Sequence, residues 1–457
     1  VQFVIGIVLI VFSLPVLWAN ESRNARMETL LSLAASQVRT VGGKRAQPEN
    51  RNWLVHVQGE PMRAAAATAD PRFNVTMASN CVRLRSDVQV FQVIEHEQTE
   101  ERDRLGGGKE KITTYTYTQE WSSSWNDSSG YSDVDKRVNT KPDGMDVGPK
   151  TQDCSRVEYG GCFLLPQALV EQCEAFQSAS SALGESVSLK DGKAEFRKQS
   201  DGFYYYACAA SSYTGTTTPV TTATTATTTP VTTTYSSPGV GDARVKFDYV
   251  PNGPATVMAL QAAAKDGGDR DSFLPYRLIS RGLFGVSQEE EKRRLRFEGE
   301  KSHDQLASEA KCPGILSCLC CACNLVAMCF AAALTPEVHR FFTGSLNAKA
   351  CLEVINSRGR ALTWGCRLAG WLMMFVGFYS LFSPFLTLIQ VLPFIGPFLS
   401  KFAGFLIWFV CLVSTILLAS LVIIVAYLLF HPLTALLYAL VAGAVVGGLC
   451  ALASLVH

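Results

Sequence analysis

Two long stretches of this 457-residue chain are almost without charge. Residues 1–20 hold no Asp, Glu, Lys or Arg, and residues 365–457 hold only Arg367 and Lys401. The other 79 charged side chains fall within residues 21–364, at about 23% of positions, the level of a water-soluble domain. A wholly soluble protein is thereby excluded. The net charge of +1 lacks the basic excess with which proteins bind nucleic acid, so no nucleic-acid partner is expected. Nucleophile elbows, metalloprotease helices, phosphate loops and dinucleotide fingerprints are also missing. Gly106-Gly107-Gly108-Lys109 lacks the spacing and the following Ser or Thr of a phosphate loop and reads as a hairpin tip. The six histidines include no pair at metal-ligand spacing on a helix; His56 and His96 fall on expected strands as core or surface residues. No catalytic residue, metal site or cofactor is assigned, and the chain is read as non-enzymatic.

What the ends contain is membrane-grade. Val1–Trp18 is apolar, interrupted only by Pro15, and close to the roughly 20 residues that cross a bilayer as a helix. A cleaved signal peptide and a retained span both fit such a run. Bulky Trp18 at its exit, where aromatic anchors collect, favours a retained span, residues 1–19. Met27–Val38, with Leu30, Leu31, Ala34 and Ala35 at helical spacing, is expected to continue that helix. At the other end the breakers divide residues 364–457 into three spans: Leu368–Gln390, Phe402–Phe430 and Leu433–Val456. Leu392–Lys401 forms a turn between the first two, and His431-Pro432 breaks between the second and third. Ala442, Gly443, Ala444, Gly447 and Gly448 would let the last helix approach its neighbours closely. A fifth apolar segment, Cys312–Pro336, lies within a stretch, 296–363, that follows the basic cluster Lys292, Arg293, Arg294 and Arg296; whether it spans is left open by the sequence. Its Cys318, Cys320, Cys321 and Cys323 are too crowded for a two-knuckle zinc site and are candidates for S-acylation.

The middle, residues 20–295, alternates as half-buried strands do. Thr114–Thr118 reads Thr-Tyr-Thr-Tyr-Thr, and Arg244–Tyr249 places Val245, Phe247 and Tyr249 on one face. Val88–Ile94 and Ala255–Gln261 are further strands. A Thr-, Pro- and Ala-rich segment, 214–234, buries too little to order itself and reads as a solvated loop. If the middle faces a lumen, Asn74 and Asn126 stand in glycosylation sequons. An oxidising lumen would also allow two disulfides among Cys81, Cys154, Cys162, Cys173 and Cys208. The expected fold is an α+β membrane protein, with a β-rich lumenal domain between one N-terminal transmembrane helix and a C-terminal three-helix membrane bundle.

Several blocks resemble the transmembrane protein 43 (LUMA) family, in the same order over nearly the whole chain. Pro15, Trp18, Asn20, Glu21 and Arg23 are similar to its Pro-x-x-x-Trp-Asn-Glu-Gly-Arg signature, with Ser22 in place of the Gly. Leu54-Val55-His56-Val57-Gln58-Gly59 resembles the Leu-Val-His-x-x-Gly that follows. Gln92, Glu95, Tyr115, Tyr117, Glu120 and Trp121 stand where the family has comparable residues. Gly241, Asp242, Arg244 and Val245 are similar to its Pro-x-x-Gly-Asp-x-Arg-Val block. Trp364, Arg367, Gly370 and Trp371 match the start of its second span, and Pro432 its last turn, where His431 replaces Arg. Residues from about 297 to 360 and the Thr-rich loop read as insertions.

The resemblance implies a four-span protein of the endoplasmic reticulum and inner nuclear membrane, its large loop in the lumen. It implies a self-associating scaffold that organises membrane-protein complexes and maintains the nuclear envelope. Its partners would be the bilayer, further copies of itself and other membrane proteins of those compartments. The alternative is a lipid-handling or transport protein; the absence of acids from the C-terminal spans argues against ion coupling. A third possibility, an acid–base site, would require Glu95, His96, Glu97 and Glu120 to meet across strands.

Overall fold

The computed structural model describes residues 2–103, 109–141, 144–207, 238–264, 270–279, 287–302, 305–306, 335–390 and 396–430. The expected third C-terminal span (433–456), Pro432, the cysteine cluster Cys318–Cys323, Cys208 and the Thr-rich loop lie outside these residues. The fold is mixed α+β: an N-terminal apolar helix, a β-rich middle and two C-terminal apolar helices. Four helices frame the description: α1 (Gln2–Gln37), α2 (Gln288–Glu300), α3 (Ala348–Gln390) and α4 (Gly396–Phe430). Three of them are long and apolar enough to cross a membrane, over Gln2–Gln37, Ala348–Phe382 and Ala403–Leu429.

The chain divides into two compact units. The first comprises Val1–Gly59, Arg102–Glu110 and Thr256–His457; the second comprises Glu60–Glu101 and Lys111–Ala255.

In the first unit, α1 is one continuous helix that runs through Pro15 and absorbs the expected Met27–Val38 segment. Helix α3 starts some twenty residues before the expected Leu368, because Cys351, Ile355, Gly359 and Thr363 recur every fourth residue and are buried. The Asn347 side chain caps its start by accepting from the Ala350 amide at 2.7 Å. Helix α4 begins at Gly396, inside the expected turn, with Pro397 in its first turn where a missing amide costs nothing. It is described as far as Phe430, and the expected break at His431-Pro432 lies outside the described residues.

Contacts among α1, α3 and α4 centre on Leu17, Met374 and Ala419. The opposite faces stay exposed, with Val4 at 61%, Leu368 at 58% and Phe405 at 66% accessible, the lipid-facing pattern of a bundle. Toward its C-terminal end α1 turns to an aqueous-type core, where Leu30 and Ala34 pack with Trp53, Leu54, Met258, Leu260 and Tyr276. Val338 and Phe342, from the stretch read as an insertion, belong to the same core. The basic cluster preceding that stretch lies on α2, where Lys292 pairs with Glu289, Arg293 and Arg294 with Glu290, and Arg296 with Glu300. Its charge is therefore largely neutralised on its own helix.

The second unit is built on an antiparallel sheet in the order Ser186–Ser188, Glu195–Lys198, Tyr204–Tyr206, Ala243–Val250, Arg83–Asp103, Lys109–Ser122, the last two strands belonging to it up to Glu101 and from Lys111. The alternation expected for Arg244–Tyr249 holds: Val245 and Phe247 are buried against Val88, Val90 and Tyr204. Phe73 meets the rings of Phe196 and Phe247 edge-on at 5.4 and 5.3 Å. The strands Arg83–Asp103 and Lys109–Ser122 are neighbours in this sheet, and the expected hairpin tip at Gly106–Gly108 lies outside the described residues. Arg72 binds this sheet to its flanking loop, donating to the Ser86 carbonyl and hydroxyl at 2.6 and 2.7 Å and to the Asp146 and Gly148 carbonyls. Cys81, Cys154 and Cys173 are free thiols rather than disulfide partners. All three are buried, and Cys81 and Cys154 donate to backbone carbonyls instead. Burial pushes the Cys81 thiol up to about 11 and the Cys173 thiol up to about 12, which keeps both in the unreactive protonated form.

Candidate functional site

The residues that carry the family resemblance gather into three constellations. The first joins α1 to α3. Glu21, 2% exposed, receives two hydrogen bonds from the Arg367 guanidinium, Nε at 2.8 Å and Nη2 at 2.7 Å. Asn20 donates to the Thr363 carbonyl at 3.1 Å, and the Thr363 hydroxyl donates to Asn24 Oδ1 at 3.2 Å. Trp364 stacks on Arg367, with 4.9 Å from the guanidinium carbon to the ring centre.

Below this polar clasp the helices nearly touch. A Cβ at Gly370 would lie 2.7 Å from Leu17, and one at Gly6 would lie 2.7 Å from the Gly377 carbonyl. Small residues permit that approach. The sequence placed them instead in the last span, so Gly6 and Gly377 went unread; their sole signal is being glycines within apolar helices. Pro15 and Trp18 lie on the same helix, which continues past both. Arg23 is a buried residue further along α1.

The second constellation is a knot within the first unit. The Leu346 carbonyl can only accept, so His56 donates to it from Nε2 at 2.9 Å and accepts from the Thr40 hydroxyl at Nδ1, 3.3 Å away. His56 is thus a satisfied core residue, and burial holds its pKa below the ordinary value. Gly59 adopts φ +63°, a conformation that favours glycine, and its amide donates to the Thr256 hydroxyl. That hydroxyl donates in turn to the Gly344 carbonyl and accepts from the Leu346 amide.

The third lies in the second unit. Arg244 is sandwiched between the Trp121 and Phe203 rings at 4.5 and 4.3 Å, and donates to Gln89 Oε1 at 2.8 Å. Gly241, at φ +95°, turns the chain so that Asp242 Oδ2 accepts from the Gly239 amide at 2.8 Å. Buried Gln92 bridges the Ser124 carbonyl and the Asn126 amide. Trp121, Tyr205, Tyr206, Pro238 and Asp242 line a cleft of about 220 Å³.

The acid–base grouping does not assemble. Glu95 is held by the Tyr117 hydroxyl at 2.6 Å and the Ser132 amide at 2.7 Å, while His96 bonds to Thr118 and Glu97 to Thr99. Glu120 is an exposed strand residue. Among the described residues no His, Cys, Asp or Glu cluster could hold a metal ion. Of the sequon residues, Asn74 is exposed and donates to Ser188 and Leu189, and Asn126 is half-buried.

Apolar helices with lipid-type faces, clasped by a paired carboxylate and guanidinium and joined to a β-rich middle, define a multi-pass membrane protein. Known proteins give it a family. The family model for transmembrane protein 43 matches residues 90–432, so the chain belongs to that family. It is similar to transmembrane protein 43 of Rattus norvegicus, 24% identical over 398 residues, covering 85% of this chain and 75% of the relative. It is likewise similar to that of Homo sapiens, 23% identical over 444 residues, covering 95% and 86%. No solved structure matches the chain.

Proposed function

We propose that this protein is a non-enzymatic scaffold of the endoplasmic reticulum and inner nuclear membrane. In this reading it self-associates, holds other membrane proteins of those compartments in complexes, and supports the nuclear envelope. The observation that carries the proposal is the strand pair formed by Arg83–Asp103 and Lys109–Ser122. From His96 to Glu100, and over most of Lys111–Glu120, both faces are exposed, including Ile112 and Tyr115. Among the described residues the Lys109–Ser122 strand has a neighbour on one side only. An unpaired strand edge offers a row of amides and carbonyls to another chain, and membrane anchoring raises the effective concentration at which such an edge works.

The test is co-purification in mild detergent of the full chain and of Thr114→Pro and Tyr115→Pro variants. Adjacent strand residues aim their amides to opposite sides, so one of the two variants disrupts the outer edge. That variant is expected to lose partners or self-association while the wild type keeps them. A wild type that emerges monomeric and alone would refute the scaffold. Protease protection with glycosylation mapping at Asn74 and Asn126 tests the lumenal placement, since cytosolic exposure of the middle leaves both asparagines unmodified.

A further inference from the structure

Three buried or half-buried arginines of the first unit have carboxylate partners: Arg277 with Glu337, Arg51 with Asp271 and Arg367 with Glu21. Arg23 has none. It is 8% exposed, and its Nε and Nη1 find no hydrogen-bond partner. The titratable groups acting on it are Cys366 and a second cation, half-buried Arg340, which forms no ion pair among the described residues either. Arg340 in turn feels Arg358, exposed on α3 beside Gly359, the glycine that packs on Met27 of α1. Arg26, exposed one turn along α1 from Arg23, lines a cleft of about 190 Å³ together with Arg277 and Glu298. Glu337, the acid that acts on Arg340, is engaged by Arg277, and Glu298, which shares the cleft with Arg26, by Lys301.

An unpaired buried guanidinium is strongly unfavourable, and like charges beside it add to the cost. Evolved interiors offset such charge with an anion. The depth indicates which one. At 1.5 Å per residue Arg23 lies about 7 Å beyond Trp18, the width of a headgroup layer outside the hydrocarbon core.

We propose that Arg23, Arg26, Arg340 and Arg358 form a phosphate-binding site at the membrane surface that takes the headgroup of an anionic glycerophospholipid. The recognised chemistry is a phosphate oxyanion, matched by guanidinium forks. The site stands independently of the scaffold reading and requires only that α1 crosses the bilayer.

The test uses the full chain in nanodiscs of phosphatidylcholine alone, of phosphatidylcholine with phosphatidic acid, and of phosphatidylcholine with inorganic phosphate in the buffer. Native mass spectrometry reads bound lipid and thermal unfolding reads the stabilisation. Phosphatidic acid should be retained over phosphatidylcholine and should raise the unfolding midpoint, whereas inorganic phosphate should not. Arg340→Gln with Arg358→Gln should reduce that selectivity about 25-fold, from about fivefold per arginine near a lipid surface. Arg63→Gln, an arginine of the second unit, should leave it intact. Arg23→Gln separates binding from folding: it should abolish selectivity yet unfold no earlier than wild type in phosphatidylcholine, because it removes an unpaired charge. Equal lipid selectivity in wild type and variants, or stabilisation by inorganic phosphate alone, would overturn the assignment.

Discussion

Breaking the pair between Glu21 and Arg367 should cost far more than a surface ion pair. The Glu21 side chain is 1% exposed and that of Arg367 22%, and two parallel bonds of 2.8 and 2.7 Å hold them. Glu21→Gln strands the guanidinium, and Arg367→Met strands a carboxylate whose other side-chain neighbour is Asn20 at 3.3 Å. Removing one member of a buried pair costs about 3–5 kcal/mol, because the remaining charge has lost its water and gained nothing in return. Removing both leaves no orphan, so the double variant should be less impaired than the sum of the singles by about 2–3 kcal/mol. That coupling is roughly a 30- to 150-fold change in the folding equilibrium. Reversible unfolding of the full chain in mixed micelles, with denaturing detergent as the titrant, measures all four corners of the cycle. Strict additivity would refute the reasoning, since it would mean that the two groups are solvated separately and that α1 and α3 are not joined there.

Three further outcomes follow from the same structure. Gly370→Leu should force α1 from α3, at a cost of about 1–3 kcal/mol, read as lower crosslinking between cysteines placed on the two helices. His339, held down to about 4 chiefly by burial, stays neutral in the fold while the unfolded chain takes up a proton near 6.5. Its contribution is complete above pH 6.5 and is lost toward pH 4 at about 1.4 kcal/mol per pH unit, so unfolding midpoints of His339→Gln should fall less steeply than those of wild type over that window. Arg244→Lys keeps the charge but loses the flat stack between Trp121 and Phe203, and should cost about 1–2 kcal/mol in urea unfolding of the detergent-solubilised chain.

Charge distribution alone revealed the apolar ends, because lipid tolerates so few ionised groups that their absence is a direct signal. Alternation revealed Val245 and Phe247, since a strand with one buried face must repeat every second residue. The early start of α3 was also legible in principle: Asn347 is a capping residue, and Cys351, Ile355, Gly359 and Thr363 recur at helical spacing. The segment is too polar to resemble a span, and that polarity masks the periodicity. The pairing of Glu21 with Arg367 could not be read, as 346 residues separate the partners. Nor could the tertiary proximity that isolates Arg23, for local pattern carries no information about which distant cation comes to rest beside it.

Helix α1 is a single 36-residue rod, about 54 Å long, whereas the hydrocarbon layer is about 30 Å thick. Its outer third is rooted among Trp53, Leu54, Leu260 and Tyr276. The helix stays continuous across Pro15, so a change of tilt imposed by a thicker or thinner bilayer is passed along it toward those roots. A rotation of ten degrees would sweep the far end sideways by several ångströms. Bilayer thickness is thereby coupled, through α1, to the packing around Trp53 and Tyr276.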